Sequence, residues 1–106
     1  RLATSLLLTQ LDLSNNRLTS LPDLIGNLTA VTQLYLNHNQ LTSLPDSIGS
    51  LTALTKLDLH NNRLTSLPDS IGNLTALTLL DLNHNPLLDL NHNQLISLPD
   101  SIGNLT

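Results

Sequence analysis

Apolar residues recur along this chain with a period of 23 residues. The unit 54–76 carries leucine at its first, fourth, sixth, eleventh and fourteenth places and asparagine at its ninth. Units 8–30 and 31–53 repeat this pattern, and an irregular version occupies 77–106. Tandem repeats of about 20 to 50 residues indicate an architecture in which each unit packs against its neighbours. We therefore expect one repeat domain over residues 1–106.

Each unit begins with a segment LxxLxL, in which apolar and polar residues alternate. This alternation predicts a short strand with one buried face. In the second unit it places Leu34 and Leu36 in the core and Gln33, Tyr35 and Asn37 on the outer surface. Stacked strands would align the sixth-place leucines into one apolar ladder, made of Leu13, Leu36, Leu59 and Leu82.

The rest of each unit predicts a bend and a short return path. Pro45 should end any strand, and Asp46 or Ser47 should cap a single helical turn that ends near Gly49. The ninth-place asparagines are expected to bond backbone groups that a tight bend leaves unpaired, which is a structural and not a catalytic role. They are Asn16, Asn39, Asn62 and Asn85.

The motif LxxLxLxxNxL occurs four times in tandem, over 8–18, 31–41, 54–64 and 77–87. This pattern resembles the leucine-rich repeat family, and its LPxxIG return is similar to intracellular Ras-group-related repeats and to bacterial repeats. The resemblance implies an α/β fold, a right-handed solenoid with a parallel sheet on the concave face and short helical or irregular returns on the convex face. It also implies that outward strand positions bind protein partners.

The chain departs from the family by lacking a recognisable cap at either end. Terminal coils of a solenoid need polar caps, because they would otherwise expose their leucines. We therefore expect the chain to be a fragment of a longer solenoid, or to self-associate through its uncapped ends.

Composition narrows the classes of partner. Hydrophobic residues make up 40% of the chain and 31 residues are leucine, but only one is aromatic, so the core must be aliphatic. The net charge is -4 and the four basic residues form no cluster, which argues against nucleic acid. No apolar run is long enough for membrane insertion. The absence of cysteine and of a signal-peptide pattern favours a cytoplasmic location.

The outward strand positions form the candidate partner-binding surface. Tyr35 is the only aromatic residue. It is either an interface anchor or simply a β-favoured residue at a solvated site. The predicted binding residues are Gln33, Tyr35, Asn37, His38, Lys56, Asp58, His60, Asp81 and His84.

Two groups of side chains raise the question of metal binding or catalysis. Asp58 and Asp81 should face each other on adjacent strands, but an open sheet favours a solvated acidic column over a reactive pair. The other group is histidine: His84 and His92 would form a site with Asp81 or Asp89 only if the chain folds back there. We assign no catalytic residue, cofactor or metal site.

These observations predict a non-enzymatic protein-interaction module that binds through the concave sheet. One alternative is a structural repeat segment of a larger receptor or scaffold, with no binding role of its own. A second, weaker alternative is metal binding through the histidine and aspartate columns.

The repeat is irregular at one point, where LDLNHNPL over 80–87 is followed directly by LDLNHNQL over 88–95. Eight residues cannot complete a coil, so either a segment of 15 residues is missing from the pattern or eight residues are inserted and looped out. We predict that the first copy continues the sheet, because Leu77, Leu80, Leu82, Asn85 and Leu87 keep every place of the unit.

Overall fold

Each LxxLxL segment of the described chain forms a strand of three residues in a computed structural model, which describes residues 8–89. The strands pair in parallel in the order β1-β2-β3-β4. Paired residues lie one repeat apart, as Leu34 opposite Leu57. The predicted solenoid with a parallel sheet is therefore confirmed. The strands are β1 (Gln10–Asp12), β2 (Gln33–Tyr35), β3 (Lys56–Asp58) and β4 (Leu79–Asp81).

Short 3-10 helices form the return paths, over η1 (Asp23–Asn27), η2 (Asp46–Ser50) and η3 (Asp69–Asn73). This confirms the predicted helical return, which ends one residue past Gly49. The predicted cap is wrong, because no side chain caps η2 and its N-cap residue is Pro45, with extended backbone. Proline fixes the entry angle, and the backbone N–H of Ile48 then bonds directly to the Pro45 carbonyl at 3.0 Å. No helix among residues 8–89 is long and apolar enough to cross a bilayer.

The core lies between the sheet and the returns and is aliphatic. Leu34, Leu36, Leu57 and Leu59 are completely buried, which confirms the predicted strand register. Leu13, at the equivalent place of the first described coil, packs against the core but is only partly buried. The apolar ladder therefore runs from Leu36 to Leu82 with full burial.

Ninth-place asparagines tie each coil to the coil before it. The Asn62 side-chain oxygen accepts the Leu41 backbone N–H at 3.0 Å, and its amide donates to the Leu36 and Leu59 carbonyls, both at 3.0 Å. Asn39 and Asn85 make the equivalent bonds, and all three asparagines are buried. The predicted structural role of this column is confirmed.

The returns of adjacent coils approach one another closely at glycine. A Cβ atom added to Gly49 would lie 2.6 Å from the Ser70 Cβ, and one added to Gly26 would lie 2.8 Å from the Ser47 Cβ. Real Cβ atoms do not approach so closely, so the contact requires glycine. On the same side, the Ser70 hydroxyl donates to the Asp46 carbonyl at 2.7 Å.

The irregular segment begins with a change of register. Leu80, Leu82 and Asn85 are buried, so the first LDLNHN copy continues the sheet as predicted. However, Leu87 is 71% exposed, and the neighbouring Leu88 packs against the core instead. The prediction that Leu87 keeps its place is wrong. The second copy, including His92, lies outside the described residues from Leu90 onward.

A proline explains this change. In the preceding coils the tenth-place N–H groups of Gln40 and Arg63 donate to the coil before them, at 2.8 and 2.9 Å. Pro86 occupies that place and has no N–H to donate. Proline instead favours the second position of a turn, and the Leu88 N–H closes that turn on the Asn85 carbonyl at 3.0 Å.

Candidate functional site

The concave face, meaning the outward side chains of β1 to β4 and of the residues directly after them, carries the predicted binding positions. The strand register places Gln33 beside Lys56 and Tyr35 beside Asp58. These side chains are partly buried. Seven of the nine predicted residues therefore share one surface: Gln33, Tyr35, Asn37, Lys56, Asp58, His60 and Asp81.

Tyr35 stands at the middle of this face with a fixed orientation. It pairs with Asp12 on one side and with Asp58 on the other. Its hydroxyl donates to the side-chain oxygen of Gln33 at 2.8 Å, so the polar tip has a partner while the ring stays available for contact. An amphipathic ring held in this way loses little freedom when a partner packs on it.

Fifth-place aspartates bond the backbone just past the end of their own strand. Asp12, Asp58 and Asp81 each accept a backbone N–H two residues later, at 2.9, 3.2 and 3.0 Å. At Asp12 the Ser14 hydroxyl also donates, at 2.6 Å. These two bonds to Ser14, the side-chain bond first, hold the pKa of the Asp12 carboxyl below its usual value. Part of the acidic column is therefore structural.

His60 lies between the two paired carboxylates of β3 and β4. Asp58 and Asp81 are direct partners in the strand register, as predicted. The Nδ1 atom of His60 lies 2.5 Å from Asp58 Oδ1 and 3.5 Å from Asp81 Oδ2. All three side chains are partly buried, with 18 to 28% of each exposed. The acidic column is thus less solvated here than an open sheet would suggest.

His38 and His84 occupy a different environment, at the eighth place, just past the strands. The backbone there is left-handed in every described coil, with φ of 60, 57, 56 and 60° at Asn15, His38, Asn61 and His84. Asparagine and histidine tolerate this conformation better than most residues. Both histidines are exposed, and His38 Nδ1 accepts from the Asn61 amide at 3.1 Å. The backbone conformation therefore explains the residue types at this place.

Sequence reasoning missed the contact of His60 with the two aspartates. It paired Asp58 with Asp81, and His84 with His92, but did not place His60 beside the aspartates. However, a strand directs residues two apart to the same face, so His60 had to lie beside Asp58, and Asp81 follows from the register. His38 does meet His60, since their rings form an edge-to-face contact with centroids 4.8 Å apart. The proposed pairing of His84 with His92 stays a prediction, because His92 lies outside the described residues.

Models of known families match most of the chain. A leucine-rich repeat model matches residues 31–87, a model of two leucine-rich repeat copies matches 7–49, and a single-repeat model matches 87–105. The first and last of these models meet at residue 87, within the irregular segment, and neither spans it. No curated protein matches the chain.

Solved structures of bacterial repeat proteins are similar to this chain. A leucine-rich repeat protein of Leptospira interrogans is 44% identical, with a TM-score of 0.71 over 92% of this chain. YopM from Yersinia enterocolitica is 28% identical, with a TM-score of 0.55 over 90% of this chain. The chain spans only 24% and 28% of the lengths of these two proteins.

Proposed function

This chain belongs to the leucine-rich repeat family, and from that membership we infer that it binds a protein partner through its concave face. Repeat proteins of this family commonly mediate protein interactions. The observation that supports the proposal most strongly is Tyr35, an oriented aromatic ring at the middle of an open sheet. Aromatic anchors of this kind supply a large share of the free energy of many protein interfaces.

The charge of the concave face suggests the chemistry of the partner. Asp12, Asp58 and Asp81 share the fifth-place column with Tyr35, whereas Lys56 is the only basic residue among the outward strand positions 10–81. A partner segment with a lysine or arginine beside an apolar side chain would match this surface. The basic side chain would face the carboxylates, and the apolar side chain would pack on the Tyr35 ring. Such complementary charge mainly favours fast and selective association.

The repeat offers a matched test of this proposal. Asp58 and Asp69 both lie in the third unit, the first on β3 and the second at the start of η3 on the return side. Binding is measured by affinity capture from an extract of the source cells, followed by titration of the captured partner. We expect Tyr35→Ala and Asp58→Lys to weaken binding while the circular dichroism spectrum is unchanged. Asp69→Lys, with the same change of charge, should bind normally.

Two outcomes would contradict the proposal. If Asp69→Lys loses the partner and Asp58→Lys keeps it, binding occurs on the return side. If no variant changes capture, the face has no binding role, and the segment is a structural part of a larger receptor or scaffold.

A further inference from the structure

We propose that Asp58, His60 and Asp81 form a binding site for a divalent first-row metal ion, with Zn²⁺ as the best-matched probe. One imidazole nitrogen and two carboxylate oxygens converge there, and the three ligand atoms all lie within 4.8 Å of one another. Zinc accepts this set of ligands. The proposal concerns the chain alone and does not depend on the proposed protein partner.

The distances require only a small rearrangement. Zinc bonds to nitrogen and oxygen are near 2.1 Å, so the ligand atoms of a tetrahedral site are separated by about 3.4 Å. The 3.5 Å between His60 Nδ1 and Asp81 Oδ2 already fits this value. The 2.5 Å between Nδ1 and Asp58 Oδ1 is a hydrogen bond, and a metal ion would replace its proton. A rotation of the Asp58 carboxylate would provide the additional distance.

Backbone N–H groups hold both carboxylates in place. Asp81 Oδ1 accepts the Asn83 backbone N–H at 3.0 Å, which leaves Oδ2 directed at His60. At Asp58 the oxygen that lies against His60 Nδ1, Oδ1, also accepts the His60 backbone N–H at 3.2 Å, so a metal would share this oxygen with that bond or bind the second carboxylate oxygen. Hydrogen bonds that orient metal ligands in advance strengthen metal binding, and their loss typically weakens it about 10- to 100-fold.

The electrostatics also favour a cation. Asp58 and Asp81 lie opposite each other on strands about 4.8 Å apart, and like charges in this position repel. Within residues 8–89, no lysine or arginine forms an ion pair with either carboxylate, and His60 is their shared partner. A divalent ion would neutralise both carboxylates at once, which one imidazole cannot do.

Two buried amide oxygens belong to residues next to His60 in the sequence or in the repeat register. Asn61 Oδ1 and Asn83 Oδ1 are buried and have no hydrogen-bond donor within the described part of the chain. Asn61 follows His60 in the sequence, and Asn83 has the same place as His60 in the next coil. Three protein ligands leave a metal position open to water.

The test is Zn²⁺ binding to the untagged chain, measured by isothermal titration calorimetry and by the shift in melting temperature. His60→Asn is the matched variant, because units two and four carry Asn37 and Asn83 at this place. His84→Asn is the control, because Asn15 and Asn61 occupy its place in units one and three. Both substitutions use a residue that the repeat already accommodates, so both variants should fold.

We expect one Zn²⁺ per chain, with affinity at least about tenfold lower in His60→Asn and Asp81→Asn and unchanged in His84→Asn. Co²⁺ should give visible d–d absorption that disappears in the same two variants. The proposal is overturned if the chain binds no Zn²⁺. It is equally overturned if His84→Asn or His92→Asn weakens binding as much as His60→Asn does.

Discussion

Leu88 packs against the core at the place that the repeat assigns to Leu87, whose side chain is 71% exposed. The two neighbours have exchanged roles because Pro86 starts a turn that advances the chain by one residue. Adjacent and chemically identical residues thereby provide an internal comparison of buried and exposed leucine.

Leu88→Ala should destabilise the fold by about 1 to 2 kcal/mol, because the lost methyl and methylene groups are partly buried. Leu87→Ala should change the free energy of unfolding by less than about 0.5 kcal/mol. Urea unfolding followed by circular dichroism measures both. A larger loss in Leu87→Ala would show that the turn at Pro86 is placed incorrectly.

Leu59→Ala should cost about 2 to 5 kcal/mol, because Leu59 is completely buried in a central coil and the substitution leaves a cavity. Lys56→Ala, in the same coil but facing outward, should cost little. Guanidinium unfolding of the two variants is the measurement. Similar losses would contradict the inward and outward assignment of β3.

Asn62→Asp tests the ninth-place ladder with minimal change in shape. The substitution keeps an oxygen to accept the Leu41 N–H, but it removes the amide that donates to the Leu36 and Leu59 carbonyls. It also buries a charge. We expect a loss of at least about 3 kcal/mol, because a buried carboxylate would face both carbonyls, each of which keeps only the donor from Asn39 or Asn85.

Asn16→Asp is the control for this substitution. Asn16 has the same place in the first described coil, but its side chain is exposed, and its amide bonds, as far as residues 8–89 show them, go to Leu13 and Ser14 of its own coil. The loss should be clearly smaller in a thermal melt. Equal losses would mean that the bonds between coils contribute little to stability.

Ser14→Ala should raise the pKa of Asp12 towards its ordinary value, because the Ser14 hydroxyl bond is the largest cause of the lowered pKa. A carboxyl with a lowered folded-state pKa stabilises the fold above its unfolded pKa. That contribution is lost as the pH falls through the folded pKa. Carbon-13 NMR titration of the Asp12 carboxyl measures the change, and Ser20→Ala should leave it unaltered.

The sequence was sufficient to predict the sheet, the buried leucines and the role of Asn62, because each is dictated by a period that the chain repeats. Features that occur in one coil and do not recur with the repeat were not predicted. Leu87 was misplaced because Pro86 breaks the hydrogen bond on which its place depends. Asp46 was misassigned as a cap because the preceding proline already sets the start of η2. The His60 contacts arise only when two columns of adjacent coils are considered together.

The contact between Gly49 and Ser70 also governs the curvature of the molecule. Ladder hydrogen bonds hold the strands about 4.8 Å apart on one side. On the opposite side, the missing Cβ of Gly49 lets the next return approach closely. The small rotation between successive repeats, and so the arc of the whole solenoid, follows from the difference between these two spacings. Any larger side chain at Gly49 would push the returns apart and increase the curvature of the solenoid around the sheet. The concave face would then accommodate only a narrower partner.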